Sequence, residues 1–133
     1  MTRVSITRLR LRTRWYEIPF IYYALRSSTQ AKRADGCLGV HRRRISGAYW
    51  TMTLWRDSAA LRTFMLSGAH KKAMPKLAKW CDEASLAHWE QQDISMPTWA
   101  EGEQRLASEG RVSAVSRPSP AHAAGQTLGT VSI

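Results

Sequence analysis

The chain has 133 residues, the size of one domain, and its 44% hydrophobic content excludes a disordered polymer. Two cysteines, Cys37 and Cys81, exclude a disulfide framework and match no zinc spacing; no apolar run reaches the ~18 residues of a membrane span, and residues 1–8 lack a secretory apolar region. The net charge is +10, and ten Arg and one Lys stand against only Glu17 and Asp35 in residues 1–48. A reduced, cytoplasmic protein with no membrane partner is therefore expected. Its basic half is either a solvated Arg-rich surface or an attractor for nucleic acid, anionic lipid or acidic small molecules.

Residues 4–12 alternate, with Ser5, Thr7, Leu9 and Leu11 on one side and Val4, Ile6, Arg8 and Arg10 on the other, which predicts a strand. Phe20 to Ala34 predicts a helix, with Pro19 in its first turn and Gly36 as its stop. Cys37 to Arg44 and Ala48 to Trp55 predict two strands joined by a Ser46-Gly47 turn. Asp57 or Ser58 caps a helix that runs to Leu66; Ser67-Gly68 breaks it, and a second piece runs from Ala69 to Ala84. His70, Met74, Leu77, Ala78 and Cys81 share one face of that piece. Ser85 to Gln92 alternates again, and a short helix follows from Trp99 to Ser108. From Ser113 the chain is poor in large apolar residues and reads as a mobile, weakly docked tail.

The fold class is thus α+β: a ferredoxin-like βαββαβ antiparallel sheet with its helices on one face. The domains read as 1–96 for this core, 97–112 for a helical extension and 113–133 for the tail. Both faces of the third strand carry large apolar groups, Tyr49 and Trp55 against Trp50, Met52 and Leu54. A helix-free face of that kind needs a cover. A second copy related by a twofold axis would supply one, making a homodimer; the segment around Trp99 folding back is the alternative.

The residues Trp50-Thr51-Met52-Thr53-Leu54-Trp55-Arg56-Asp57, then Phe64-Met65-Leu66-Ser67-Gly68-Ala69-His70, Met74-Pro75 and Trp80, resemble an uncharacterised bacterial family of the dimeric α+β barrel superfamily. That superfamily includes antibiotic-biosynthesis monooxygenases and haem-degrading enzymes, with spheroidene monooxygenase a distant relative. The resemblance implies a dimeric barrel and oxygen chemistry. The chain has no Asn, so the Asn-containing site common among the superfamily's enzymes does not carry over.

Among the residues themselves, His70 follows the helix break and faces inward. A neutral imidazole there could act as a base near pH 7 or bind haem iron; equally, it could bond a freed helix-terminal carbonyl. Trp55, at the end of the third strand, is its expected aromatic neighbour, and the two form the candidate catalytic pair. Trp50, Trp80, Tyr23, Met74 and His88 are the candidate ligand-binding residues, because aromatic walls with a few polar groups suit a flat conjugated ligand. Arg8, Arg10, Arg42 and Arg44 are either forks for ligand carboxylates or edge protection. No nucleotide loop, zinc motif or other metal motif is present, so the cofactor is unassigned, haem being the one candidate, with His70 as its ligand. The expected function is a monooxygenase-like enzyme acting on an aromatic or polyene substrate. The alternatives are a non-catalytic dimeric ligand binder and a basic RNA-binding module. The last lacks its signature: Ser46-Gly47-Ala48-Tyr49-Trp50-Thr51 stands where the third-strand motif of an RRM belongs.

Overall fold

The computed structural model describes residues 1–130. Its elements are β1 (Thr2–Leu11), a 3-10 turn at Arg14–Tyr16, α1 (Glu17–Arg33), β2 (Cys37–Ile45), β3 (Ala48–Trp55), α2 (Ser58–Met65), α3 (Gly68–Trp80), β4 (Cys81–Gln91), α4 (Trp99–Glu109), β5 (Arg111–Val112) and α5 (Pro120–Ala123). The strands form one antiparallel sheet in the order β2-β3-β1-β4-β5. This is the ferredoxin-like α+β plan, with β5 as an added edge.

Local chemistry sets the boundaries. Ser46 (φ 51°) and Gly47 (φ 78°) both occupy the left-handed region, which a two-residue hairpin turn of matching twist requires. Asp57 Oδ1 accepts the Ala60 amide at 2.8 Å and starts α2. Gly68 (φ 59°) makes the break between α2 and α3, and a Cβ there would lie 2.9 Å from Gln30 Oε1. One boundary differs from the periodicity. α3 ends at Trp80, and β4 begins at Cys81 rather than at Ser85, so Cys81 is a strand residue and leaves the His70 face. Cross-strand charge accounts for the difference. Arg8 holds Glu83, a ladder residue opposite Arg10, at 2.8 Å, and Arg10 holds Asp82, the residue at the bulge that follows, at 2.7 and 3.0 Å.

Alternation divides the sheet into two layers. Val4, Ile6, Trp50, Met52, Leu54, Ala87 and Trp89 form one core with Leu106 of α4. Trp55, Leu61, Phe64 and Ala31 form the other, beneath α1 and α2. The helix-free face is therefore covered by the same chain. α4 lies so close to it that a Cβ on Gly102 would stand 2.7 Å from Ile6 Cδ1 and 3.2 Å from Met52 Sδ. The guanidinium of Arg43 is sandwiched between the rings of Trp50 and Trp99, at 4.7 and 4.5 Å, and reaches the Glu103 carboxylate. The apolar face that called for a second copy has its cover in the fold-back of the segment around Trp99.

The expected mobile tail is also corrected over residues 113–130; residues 131–133 lie outside the described part. Its backbone bonds to the rest of the molecule from Ser113 (to Ala84 O, 2.8 Å), Ser116 (to Ala78 O, 2.8 Å) and Ser119 (to Asp82 O, 3.0 Å). Ser85 Oγ donates to Thr127 O at 2.6 Å, and buried His122 bonds Ser113 O at 2.7 Å. The anchor is the buried Arg8–Glu83 pair, whose carboxylate also accepts Ser119 Oγ and Thr130 Oγ1, both at 2.6 Å. Gly129 passes against this pair so tightly that a Cβ would collide with both partners. Composition hid the docking because the tail is held by polar side chains and backbone, not by large apolar groups.

Candidate functional site

On the helix face, α1 and α3 stand over the sheet and leave a cavity of about 720 Å³ above its middle strands. The strand register arranges its floor in three rows. Val40, Thr53, Ser5 and His88 form the first, crossing β2, β3, β1 and β4. Arg42, Thr51, Thr7 and Leu86 form the second, and Arg44, Tyr49, Leu9 and Ala84 the third. All twelve border the cavity. The centre of the floor is thus four hydroxyls, those of Ser5, Thr7, Thr51 and Thr53. Phe20, Tyr23, Phe64 and Met65 supply apolar wall.

His70 enters from the first turn of α3 and borders the cavity. Its Nδ1 donates to Met65 O at 3.3 Å. Burial lowers its pKa below the usual histidine value, with the Met65 carbonyl opposing, so the ring is neutral at pH 7. With the proton on Nδ1, Nε2 carries the lone pair. Gln30 of α1 fixes the junction: its Oε1 accepts the His70 amide at 3.0 Å while its Nε2 donates to Ser67 O at 2.8 Å. His70 thus satisfies a helix-end carbonyl and also borders the cavity.

Trp55 does not border the cavity and is not the neighbour of His70. Phe64 stands between them, its centroid 4.8 Å from the imidazole and 5.0 Å from the Trp55 indole. Trp55 is fully buried and donates its Nε1–H to Thr53 Oγ1 at 2.8 Å. It supports one wall residue and orients one floor hydroxyl. The alternation of β3 already places Trp55 on this face; the residue it packs against, Phe64, is visible only in three dimensions.

His88 borders the cavity opposite Ser5, with its pKa lowered by burial first and then by the charges of Arg3 and Arg111. Tyr23 and Met74 border it too, Met74 at an exposed position. Trp80 does not: it stacks on Tyr16 at 6.0 Å and stands behind Tyr23 at 5.8 Å. Trp50 borders the cavity as well, while its indole joins the core of the opposite layer and carries the Arg43 cation on its face. Arg8 and Arg10 also lie on that layer, bound to Glu83 and Asp82, so they are structural ions and not ligand forks. Arg42 and Arg44 are on the cavity side. The sequence reading missed the hydroxyl floor, although Ser-x-Thr in β1 and Thr-x-Thr in β3 at inward alternating positions are its signal. It also missed Gln30, which nothing in the local pattern marks.

Among the described residues, no group of His, Cys, Asp and Glu is placed to hold a metal ion, and no helix is long and apolar enough to cross a membrane. The fold is shared, at low identity, with solved structures. A conserved protein from Methanosarcina mazei Go1 is 12% identical, with a TM-score of 0.62, covering 69% of this chain and 94% of its own. An antibiotic biosynthesis monooxygenase is 12% identical (TM-score 0.61, 70% and 100%). SnoaB, a cofactor-independent oxygenase from Streptomyces nogalater, is 14% identical (TM-score 0.57, 73% and 98%). Each neighbour is spanned almost entirely while part of this chain lies outside the shared fold. No curated protein matches the sequence. Residues 23–112, from α1 through β5, match one family, and the chain belongs to it: the Domain of unknown function (DUF3291) family.

Proposed function

We propose that this protein is a monooxygenase-like enzyme that binds an aromatic or polyene small molecule between sheet and helices, with His70 as the base that takes a proton from it. The observation that carries this reading is the state of His70: neutral, on the cavity wall, with Nδ1 engaged by Met65 and Nε2 left basic. A substrate CH₂ that loses a proton to Nε2 becomes electron-rich enough to react with dioxygen directly. One oxygen atom then enters that carbon as C=O, and the other leaves as water with both hydrogens. The floor hydroxyls would hold substrate oxygens, and the apolar walls would exclude water. The fold shared with SnoaB, a cofactor-independent oxygenase, supports the reading by analogy of fold alone.

A second reading has one specific observation behind it. An imidazole that ligates a metal donates its other N–H to a carbonyl or carboxylate, as His70 does to Met65. His70 would then hold haem through Nε2, and the haem would supply dioxygen activation.

The absorption spectrum of the purified protein, and then dioxygen uptake with 1,8-dihydroxyanthrone, a three-ring compound with an acidic CH₂, test both. The base reading expects no Soret band and uptake that falls about 100-fold or more in His70→Ala, with ring binding and melting temperature retained. A sharp Soret band on haem addition that His70→Ala abolishes and His88→Ala keeps would favour the haem reading. Ring binding with no uptake above buffer would make the protein a non-catalytic binder. Lost stability with intact affinity in His70→Ala would remove His70 from the site.

A further inference from the structure

The cavity is electrostatically one-sided. Among the described residues, no Asp or Glu borders it, whereas Lys32, Arg42, Arg43 and Arg44 do. Two of these cations are already engaged. Arg44 faces Glu17 at 3.4 Å, and Arg43 is held by Glu103 and two indoles on the opposite layer. Glu17, the acid just beyond the rim, is consumed by Arg44 and by the Tyr49 hydroxyl, which donates to it at 2.8 Å. Arg42 and Lys32 have no carboxylate within ion-pair distance among the described residues.

Arg42 is also well placed. It sits on β2 at the end of the second floor row, directly beside Thr51 and then Thr7, so its side chain continues a line of hydroxyls that leads into the cavity. An exposed guanidinium of this kind offers a fork for a carboxylate. The other end of the cavity is different. His88 lies three strands away on β4, facing Ser5, with its pKa lowered by burial and then by the charges of Arg3 and Arg111. Neighbouring strands are ~4.8 Å apart, which sets the two ends about 14 Å apart.

We propose that the ligand of this cavity is an elongated anion: a conjugated, apolar body carrying one carboxylate, with the carboxylate paired by Arg42 at the β2 rim and the body lying over the hydroxyl floor toward His70 and His88. The assignment rests on the cavity being the ligand site. It narrows the class from any aromatic or polyene compound to an acidic one. Lys32 of α1 adds a second positive charge at the same rim.

The test compares all-trans-retinoate with all-trans-retinol, which share one skeleton and differ in the charged end, by quenching of tryptophan emission in the full chain. Retinoate is expected to bind about tenfold more tightly than retinol. Arg42→Gln should bring retinoate down to the affinity of retinol and leave retinol unchanged. Arg14→Gln removes the same charge from an exposed turn that does not border the cavity, and should change neither. Equal binding of the two compounds by the natural protein would overturn the anion assignment while leaving the cavity as the ligand site. Equal losses in Arg42→Gln and Arg14→Gln would overturn it in favour of attraction by the net charge. Failure of both compounds to bind would overturn the cavity reading and this proposal with it.

Discussion

Replacing Glu83 by Gln keeps the side-chain shape and removes the charge from the buried anchor of the C-terminal segment. Burial pushes the Glu83 carboxyl up, but bonds from Ser119, Thr130 and Arg8 outweigh it and hold the group at about 2, against an ordinary 4.5. By linkage that difference corresponds to about 3 kcal/mol of stability at pH 7. Breaking a buried pair by removing one partner gives a similar figure, ~3–5 kcal/mol, because Arg8 is left charged in a site where it is only 4% exposed. A folded-state value below the unfolded one means that the contribution is complete above pH 4.5 and is lost as the pH falls toward 2. Urea unfolding of the natural chain and Glu83→Gln at pH 7, 4 and 2 reads this directly. The variant should be about 3 kcal/mol less stable at pH 7, a fall in melting temperature of ~10 °C for a chain this long. The difference should shrink through pH 4 and vanish near pH 2. A variant as stable as the natural chain at pH 7, or a gap that persists at pH 2, would refute the view that an ionised Glu83 holds the segment.

Four further outcomes follow from the packing and the site. Removing residues 97–133 uncovers Trp50, Met52 and Trp89, and light scattering over a dilution series should show more self-association than the full chain at the same concentration. Gly102→Val should cost ~1–3 kcal/mol in urea unfolding, because its side chain meets Ile6 and Met52 across a gap already filled. Cys81, fully buried with its thiol pushed up to about 12, should resist a disulfide reagent in the native protein and react on unfolding. Turnover that uses His70 as a base should rise with pH along a limb centred below 6.5, since burial favours the neutral ring; a limb centred above 6.5 would exclude that base.

The βαββαβ order was legible because each element carries its own period: two in β1 and β3, and a helical stripe in α1. The break at Ser67-Gly68 was legible because glycine at positive φ is local chemistry. The start of β4 was not, because the charges of Asp82 and Glu83 are matched by Arg10 and Arg8, more than seventy residues earlier in the chain. For the same reason the tail read as loose: Ser119, Thr127 and Thr130 look like linker residues until their partners are placed. Face and spacing put His70, His88, Tyr23 and Met74 on the side where the cavity lies, and all four border it. Trp55 and Trp80 were placed one layer too close, since alternation gives the side a residue faces and not what stands in front of it. Trp50 borders the cavity but packs its indole into the opposite layer, a double placement that its alternation with Tyr49 does not show.

The central position of β1 sets an order of events during synthesis. β1 precedes its partners β3 and β4 and the covering α4 in the chain, so it leaves the ribosome with nothing yet to pair with. Until α4 emerges, Trp50, Met52 and Trp89 stay open to water, and until Thr130 emerges the Arg8–Glu83 pair lacks its last donors. The sheet therefore closes between segments distant in sequence, and residues 99–130 cover and seal it after β1, β3 and β4 have been made. A substitution that removes the Thr130 donors would act on that sealing step alone, leaving the pairing of β1 with β3 and β4 unchanged.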